Sequence, residues 1–370
     1  MTSWRTLLLR FGILGLTGFG GPPAHLAALR RTWVESGEIA DEEFKDALTS
    51  STMLPGPTST QMAMWVGWRT RGALGATAAA LLFISPAVVL VTVLAIAIHS
   101  NQQWGHWVLK GATGATWMMP AIVLFATWGL IPETIKSKSA TTPNIRNTFL
   151  VILLLAGVAE QFHRFNPVVI ILAAGGYQYI RGRSVLDRHE NLAIGSLSVA
   201  STSLAALALK IGLLSVGGGF VIVPIMRADA VTTHHWMSEQ IFVVLVAIGQ
   251  FTPGPVFSTI AAIGYYADGI RGAAIAAVLA FLPSYLMVVF LAPQLQRIRD
   301  RADVKLFFWG ALPASTGLIL GTAPFFAAAI HQWVGAVFGL AGLVALFSKK
   351  VPVAVILLVG VAAGLVLAHP

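Results

Sequence analysis

Two short stretches occur twice in this chain, and their residues suit the capture of a small anion. Gly20, Gly21, Pro22 and Pro23 are followed about thirty residues later by Pro55-Gly56-Pro57. In the second half, Gly217, Gly218 and Gly219 are followed by Pro253-Gly254-Pro255. Proline has no N–H and its ring clashes with the preceding turn, so each Pro-Gly-Pro must interrupt a helix. A new helix then starts at Thr58 or Val256, with Pro57 or Pro255 beside its first position, where proline fits best. The first N–H groups of such a helix have no internal partner and form the positive end of its dipole, which attracts anions. The glycines offer bare backbone that a ligand can approach closely. Neutral hydrogen-bonding groups crowd both breaks: Thr58, Ser59 and Gln61 at the first, Gln250, Thr252 and Ser258 at the second. This set suits a small oxyanion, whereas a cation would want carboxylates. His25 stands beside the first break, either as a hydrogen-bonding tie between helices or as a proton carrier. Arg10 and Lys210 precede the two glycine motifs as candidate charge lures, with snorkelling to the interface as the alternative.

Other chemistry lacks its parts. There is no His-Glu-x-x-His, no Gly-x-Ser-x-Gly and no pair of carboxylates inside an apolar stretch, so no catalytic site is expected. The chain has no cysteine, which excludes disulfides and thiolate metal sites, and neither metal nor cofactor is expected. Glu160 is the one carboxylate well inside an apolar run, but Gln161, His163 and Arg164 follow it, which points to an interfacial position. The acidic segment with Glu35, Glu38, Asp41, Glu42, Glu43 and Asp46 reads as a solvated face.

The elements that must position these groups are membrane helices. Hydrophobic residues make up 56% of the 370 positions and charged residues 11%, against about 25% in soluble domains. Apolar runs of roughly 20 residues recur from end to end, and nothing alternates as a β-barrel would. The net charge of +9 fits Lys and Arg in cytoplasmic loops, and nucleic acid is not an expected partner. The fold class is an all-α polytopic membrane protein with about ten to thirteen transmembrane segments, some of them broken. No signal-peptide cleavage site is evident at the start of the first apolar stretch.

Beyond the motifs themselves, Gly67, Gly72 and Gly75 match Gly264, Gly269 and Gly272 in spacing, and Arg30 and Pro86 fall in register with Arg227 and Pro283. The expected division is a first repeat over 1–180, a charged joint over 181–191 and a second repeat over 192–370. The loops after each Pro-Gly-Pro carry Lys and Arg out of phase. Arg69 and Arg71, then Lys136, Lys138 and Arg146, mark alternate loops of the first half; Arg297, Arg299, Arg301 and Lys305, then Lys349 and Lys350, mark the opposite ones of the second. By the positive-inside rule the repeats therefore face opposite ways, the plan of secondary transporters with a site between the repeats. The required change of parity means that either one of the runs 147–159 and 166–180 does not cross or a motif segment is re-entrant, and Arg181, Arg183 and Arg188 in the joint favour the second.

Phe19 to His25, Leu54-Pro55-Gly56-Pro57, Gly217 to Phe220 and Thr252-Pro253-Gly254-Pro255 resemble the motifs of the chromate ion transporter family in its long, two-domain form. The resemblance covers nearly the whole chain. It implies a multi-pass protein of the bacterial inner membrane that exports chromate, so giving resistance, with halves of opposite orientation. Chromate is the implied substrate, with near-isosteric sulfate as the alternative, and an anion channel or an oxyanion importer as alternative modes. The lipid bilayer and a second copy of the chain are the partners considered. One departure is Glu38, where a tryptophan like Trp236 of the second repeat is expected.

Overall fold

A computed structural model describes residues 3–19, 21–52, 54–100, 103–136, 143–162, 166–186, 204–215, 222–291, 301–348 and 351–368. Among these residues every regular element is helical. The first repeat opens with α1 (Trp4–Thr17), α2 (Gly21–Leu29, extended by a π turn Arg30–Val34), α3 (Asp41–Thr52) and α4 (Thr58–His99). It continues with α5 (Gln103–Trp117), α6 (Met119–Lys136), α7 (Pro143–Gln161) and α8 (Pro167–Leu186). The second opens with α9 (Leu204–Leu214), α10 (Ile222–Arg227, extended by a π turn Ala228–Thr233) and α11 (Glu239–Phe251). A 3-10 turn Val256–Ser258 leads into α12 (Thr259–Leu286), and α13 (Ala302–Gly321), α14 (Ala323–Ala328), α15 (Trp333–Phe347) and α16 (Val353–Leu367) complete the chain. α8 runs on to Leu186, so the charged joint expected at 181–191 begins inside a helix and otherwise lies outside the described residues.

The motif segments are hairpins that dip in and return. α1 and α2 face each other: Phe11 packs on Trp33 with ring centroids 4.6 Å apart, and Arg10 reaches Glu38 beyond the end of the second limb. α3 and the start of α4 do the same, with Glu43 bonded to Arg69. In the second repeat Lys210 joins Asp229 across α9 and α10 at 2.5 Å. Helical limbs of 12 to 14 residues are about 18–21 Å long, short of the ~30 Å hydrocarbon core. Pro-Gly-Pro thus marks a re-entrant tip in each repeat, and Gly21 starts the returning limb of the first hairpin.

The matched glycine set closes the unit. α4 is nominally 42 residues long, but Arg71 (φ −143°) and Gly72 (φ +63°) leave helical geometry and reverse the chain. Gly67 then lies against Gly75 so closely that a Cβ on either would overlap the other's carbonyl oxygen. Asp268, Gly269 (φ +57°), Gly264 and Gly272 repeat this arrangement in α12. Each reversal leads into a long limb, 73–99 or 270–286. These limbs run antiparallel: Thr77 Oγ1 is 2.7 Å from Tyr285 Oη at one end, and His99 packs edge-on against Tyr265 and Tyr266 at the other. The two repeats are inverted. Arg69, Arg71 and Tyr285 lie at one end, and His99, Tyr265 and Tyr266 at the other.

By length and composition Thr58–His99, Val256–Phe290 and Ala302–Ala328 suffice to cross a membrane, and Gly105–Trp117 with Met119–Leu130 form a further path bent by 44°. The outer helices interlock: α13 packs on α7 and α8, and α16 packs on α5. Leu155, Val344 and Val366 point outward, 65, 73 and 80% exposed, as lipid-facing residues do. The chain is a multi-pass membrane protein.

Candidate functional site

The four hairpin tips meet, and they meet crosswise. The Gly56 N–H of the first repeat donates to the Ser215 carbonyl of the second at 2.7 Å, and the Gly254 N–H donates to the Gly18 carbonyl of the first at 2.8 Å. Ser215 is the register partner of Gly18, since Arg30 and Arg227 set the same offset of 197. The two bonds are therefore one interaction made twice.

Each Pro-Gly-Pro tip also presses on the long limb of the opposite repeat. A Cβ on Gly56 would overlap Ser284 Oγ, and one on Gly254 would lie 2.9 Å from the Ala87 Cβ and 3.3 Å from the Phe83 carbonyl oxygen. Both glycines have φ in the left-handed region, +122° and +104°, which a residue with a Cβ adopts only under strain. Ser284 and Ala87 are themselves register partners, beside Pro283 and Pro86.

His25 ties the tips together. Its Nε2 donates to the Gly18 carbonyl at 2.7 Å, so in the neutral ring Nδ1 accepts from the Ser59 hydroxyl at 3.3 Å. The ring is fully buried and meets Phe83 edge-on. Gly18 thus accepts from both His25 and Gly254, and Ser59 sits one turn past Gly56.

The new helices begin where the sequence places them, at Thr58 after Pro57 and at Val256 after Pro255. Thr60 and Gln61 donate their N–H groups to the Pro57 carbonyl, so the first two N–H groups of that helix are the orphans. In the second copy one residue is missing between the tip and the glycine set. The 3-10 turn Val256–Ser258 absorbs it: three residues rising about 2.0 Å each cover the length of four α-helical residues at 1.5 Å.

Buried polar atoms without a partner among the described residues gather here: Thr60 Oγ1, Gln61 Oε1, Gln250 Nε2, Ser258 Oγ and Ser284 Oγ. Gln61 spends its Nε2 on the Pro55 carbonyl at 2.7 Å. Each unmet group costs about 1–3 kcal/mol. Five of them would rival the whole 5–15 kcal/mol of a typical fold, a cost that water or a polar ligand at the junction would offset. Hydroxyls and an amide N–H₂ predominate, a set that fits an oxyanion.

The structure thus brings together His25, Pro55, Gly56, Pro57, Thr58, Ser59, Gln61, Gln250, Thr252, Pro253, Gly254, Pro255 and Ser258. The Thr252 hydroxyl is already bonded to the Gly249 carbonyl at 3.1 Å. Gly21 and Pro22 open α2 at the adjoining tip. Gly20, Gly217, Gly218 and Gly219 lie outside the described residues. Ser284 and Ser215 were missed by sequence reasoning, although Ser284 stands next to the duplicated Pro283.

Four expectations change. Lys210 neither snorkels nor stands as a lure, because it is buried in an ion pair with Asp229. Arg10 is not at the tips: it lies at the hairpin base, bonded to Glu38 and 5.8 Å from the Trp33 ring centroid. Glu38 thereby has a partner that explains the departure from tryptophan. The acidic segment is more than a solvated face, since Glu38, Asp41 and Glu43 each bind an arginine. Glu160 does lie in the last turn of α7, but protein buries it there, near Arg227.

Inverted repeats with re-entrant hairpins meeting at a polar junction define a secondary-transporter architecture. The chain belongs to the chromate transporter family: the family model described as "Chromate transporter" matches residues 5–179 and 202–365. It is 30% identical to the chromate transport protein of Cupriavidus metallidurans, over 86% of this chain and 81% of that one. It is 27% identical to the probable chromate transport protein of Synechococcus elongatus, over 98% and 95%. An uncharacterized transporter of Methanocaldococcus jannaschii is 24% identical, over 87% and 84%. No solved structure matches.

Proposed function

We propose that this protein exports chromate across the bacterial inner membrane, that the junction of the four hairpin tips is the binding site, and that the activity confers chromate resistance. The observation that carries this reading is the set of unpartnered buried polar atoms, four of the five able to donate, between crosswise-bonded tips. The names of the relatives supply the substrate, a tetrahedral dianion whose oxygens accept from hydroxyl, amide and helix N-terminal N–H groups alike. Inverted limbs let the same junction open to either side by rocking of one repeat against the other. Energetically the dianion needs no obligatory partner. A negative-inside potential is worth about 2.3 kcal/mol per charge per 100 mV, which for two charges at 100 mV sustains a gradient of roughly 2,000-fold.

The test is chromate uptake into everted vesicles or proteoliposomes with an imposed potential and with sulfate as competitor. Uptake should rise with the potential. Ser284→Ala and Ser258→Ala should each raise the apparent KM about tenfold, the value of one hydrogen bond to a charged ligand. An unchanged KM in both variants would move the site elsewhere, and effective competition by sulfate would widen the substrate to tetrahedral dianions.

A further inference from the structure

A second cluster of charge lies on the base side of the second repeat's first hairpin. Lys210 is paired with Asp229, their side chains 2 and 6% exposed, and Arg227 Nη2 is 2.5 Å from Glu239 Oε1. The guanidinium also lies 4.0 Å from the Phe325 ring centroid. Glu160, in the last turn of α7, is buried beside this group within the field of Arg227, yet no ion pair forms at Glu160 among the described residues. Among the described residues the other packed elements bring no further titratable group to this end. α13 offers Gly321, against which the Glu160 methylenes press, and α14 offers Phe325. The titratable residues of α8 start at Tyr177, more than two turns from its beginning.

Two cations therefore face three carboxylates. With Asp229 and Glu239 each holding one cation, Glu160 is the odd charge in a water-poor site, and buried charges need partners. One proton on Glu160 balances the cluster. A hard metal ion would ask for six or more oxygens, which one uncommitted carboxylate does not supply. Arg227 ends α10, the returning limb of a hairpin whose tip belongs to the central junction, whereas Glu160 belongs to the other repeat. Any rocking of the repeats changes the distance between them. Glu239 is 56% exposed, so water can take over its charge if Arg227 leaves.

We propose that Glu160 is the proton-binding group of the transport cycle. It takes a proton while Arg227 holds Glu239, and it gives the proton up when Arg227 swings across to pair with it. The site lies toward the end opposite Arg69 and Arg71, the outer end by the positive-inside rule, so the proton loads as the oxyanion leaves. This rests on the transport function proposed above and adds the coupling ion to it.

The full chain is purified into proteoliposomes. Proton movement is followed with a trapped pH dye under a pH gradient, with the potential clamped at zero and chromate as substrate. Glu160→Gln, nearly isosteric, should lose at least tenfold of the chromate-coupled proton movement and keep potential-driven flux. Infrared pH titration supplies a readout independent of transport: a protonated buried carboxyl band should disappear in Glu160→Gln and shift to lower pH in Glu239→Gln, where Arg227 is released to Glu160. Unchanged coupled proton movement in Glu160→Gln overturns the proposal, as does a wild type that carries chromate with no proton movement, or a band unaffected by Glu160→Gln. If the wild type carries no chromate, the transport reading fails, and the infrared titration still decides whether Glu160 binds the proton.

Discussion

The hairpin bases of the two repeats have one architecture and opposite treatments of charge. In the first repeat Arg10–Glu38, Arg30–Asp41, Lys45–Asp41 and Arg69–Glu43 are all at least partly open to solvent. In the second, Lys210–Asp229 is sealed, and Arg227 is buried with only Glu239 reaching water. The register partner of Lys210 is Ile13, 60% exposed, and that of Asp229 is Thr32. The tips show the reverse. Gly56 and Gly254, Gly18 and Ser215, and the reversals at Gly72 and Gly269 are nearly superposable in role. Duplication left two copies of the junction and let the bases diverge, as expected if the junction does the common work and the bases set which way the molecule is held.

The largest effect should come from the part the copies share. Gly254→Val forces a β-branched residue to a φ of +104° and drives its side chain toward Ala87 and the Phe83 carbonyl. A strain of about 2 kcal/mol or more implies at least a ~25-fold loss of flux with protein still in the membrane. Gly56→Ala meets two flexible side chains, Ser284 through its Oγ at closest approach and Gln61 through its Nε2 at 2.6 Å. At saturating chromate, where the raised KM of Ser284→Ala does not limit, adding Ser284→Ala should recover part of its flux by removing that Oγ, while doing nothing for Gly254→Ala. Equal rescue of both would mean that the crosswise contacts are not specific. Flux assays beside immunoblots of the membrane fraction read all five variants.

Much of the junction was legible because it depends on residues with few conformational options. Proline must break a helix, so the half-helix starts at Thr58 and Val256 could be placed to the residue. The matched glycines were visible as a pattern, but their jobs were not: that Gly72 reverses the chain and Gly67 touches Gly75 emerges only from the fold. The inversion was legible from Arg and Lys in loops, since that rule acts on the chain locally. The crosswise bonding was not, because Gly18, Ser215 and Ser284 are ordinary until the partner repeat arrives. Burial of Lys210 and Glu160 was misjudged for the same reason. A lone charge in an apolar run reads as interfacial unless its partner, 19 residues away for Lys210, is known to face it.

The second effect separates the bases. Lys210→Met strands Asp229 in the interior, and losing one member of a buried pair costs about 3–5 kcal/mol. Lys210→Met with Asp229→Leu should return most of that, because no unpaired charge remains. Arg69→Ala, at a base pair half open to water, should cost at most about 1 kcal/mol. Chemical unfolding in detergent compares them. If Lys210→Met costs no more than Arg69→Ala, the distinction between the bases is only visual.

The smallest effect concerns Asp41, and its sign can be worked out. Hydrogen bonds from Lys45 and then Arg30 hold its carboxyl below its ordinary value of 3.8. A carboxyl that ionises more readily in the folded protein adds stability above its unfolded value, and the gain is lost as pH falls through the folded one. The contribution is therefore flat from neutral pH down to about 4 and fades below 3.8. Asp41 is exposed to solvent, so salt should weaken its pairs as well: the screening length shrinks from about 10 Å at 0.1 M to about 3 Å at 1 M. Asp41→Asn should lower the thermal midpoint at neutral pH and low salt by less than Arg69→Ala does, and the difference from wild type should close in 1 M salt. Lys210→Met should keep its deficit in that salt, because water and ions do not reach the pair. A deficit of Asp41→Asn that survives high salt would place the first base in the same buried class as the second.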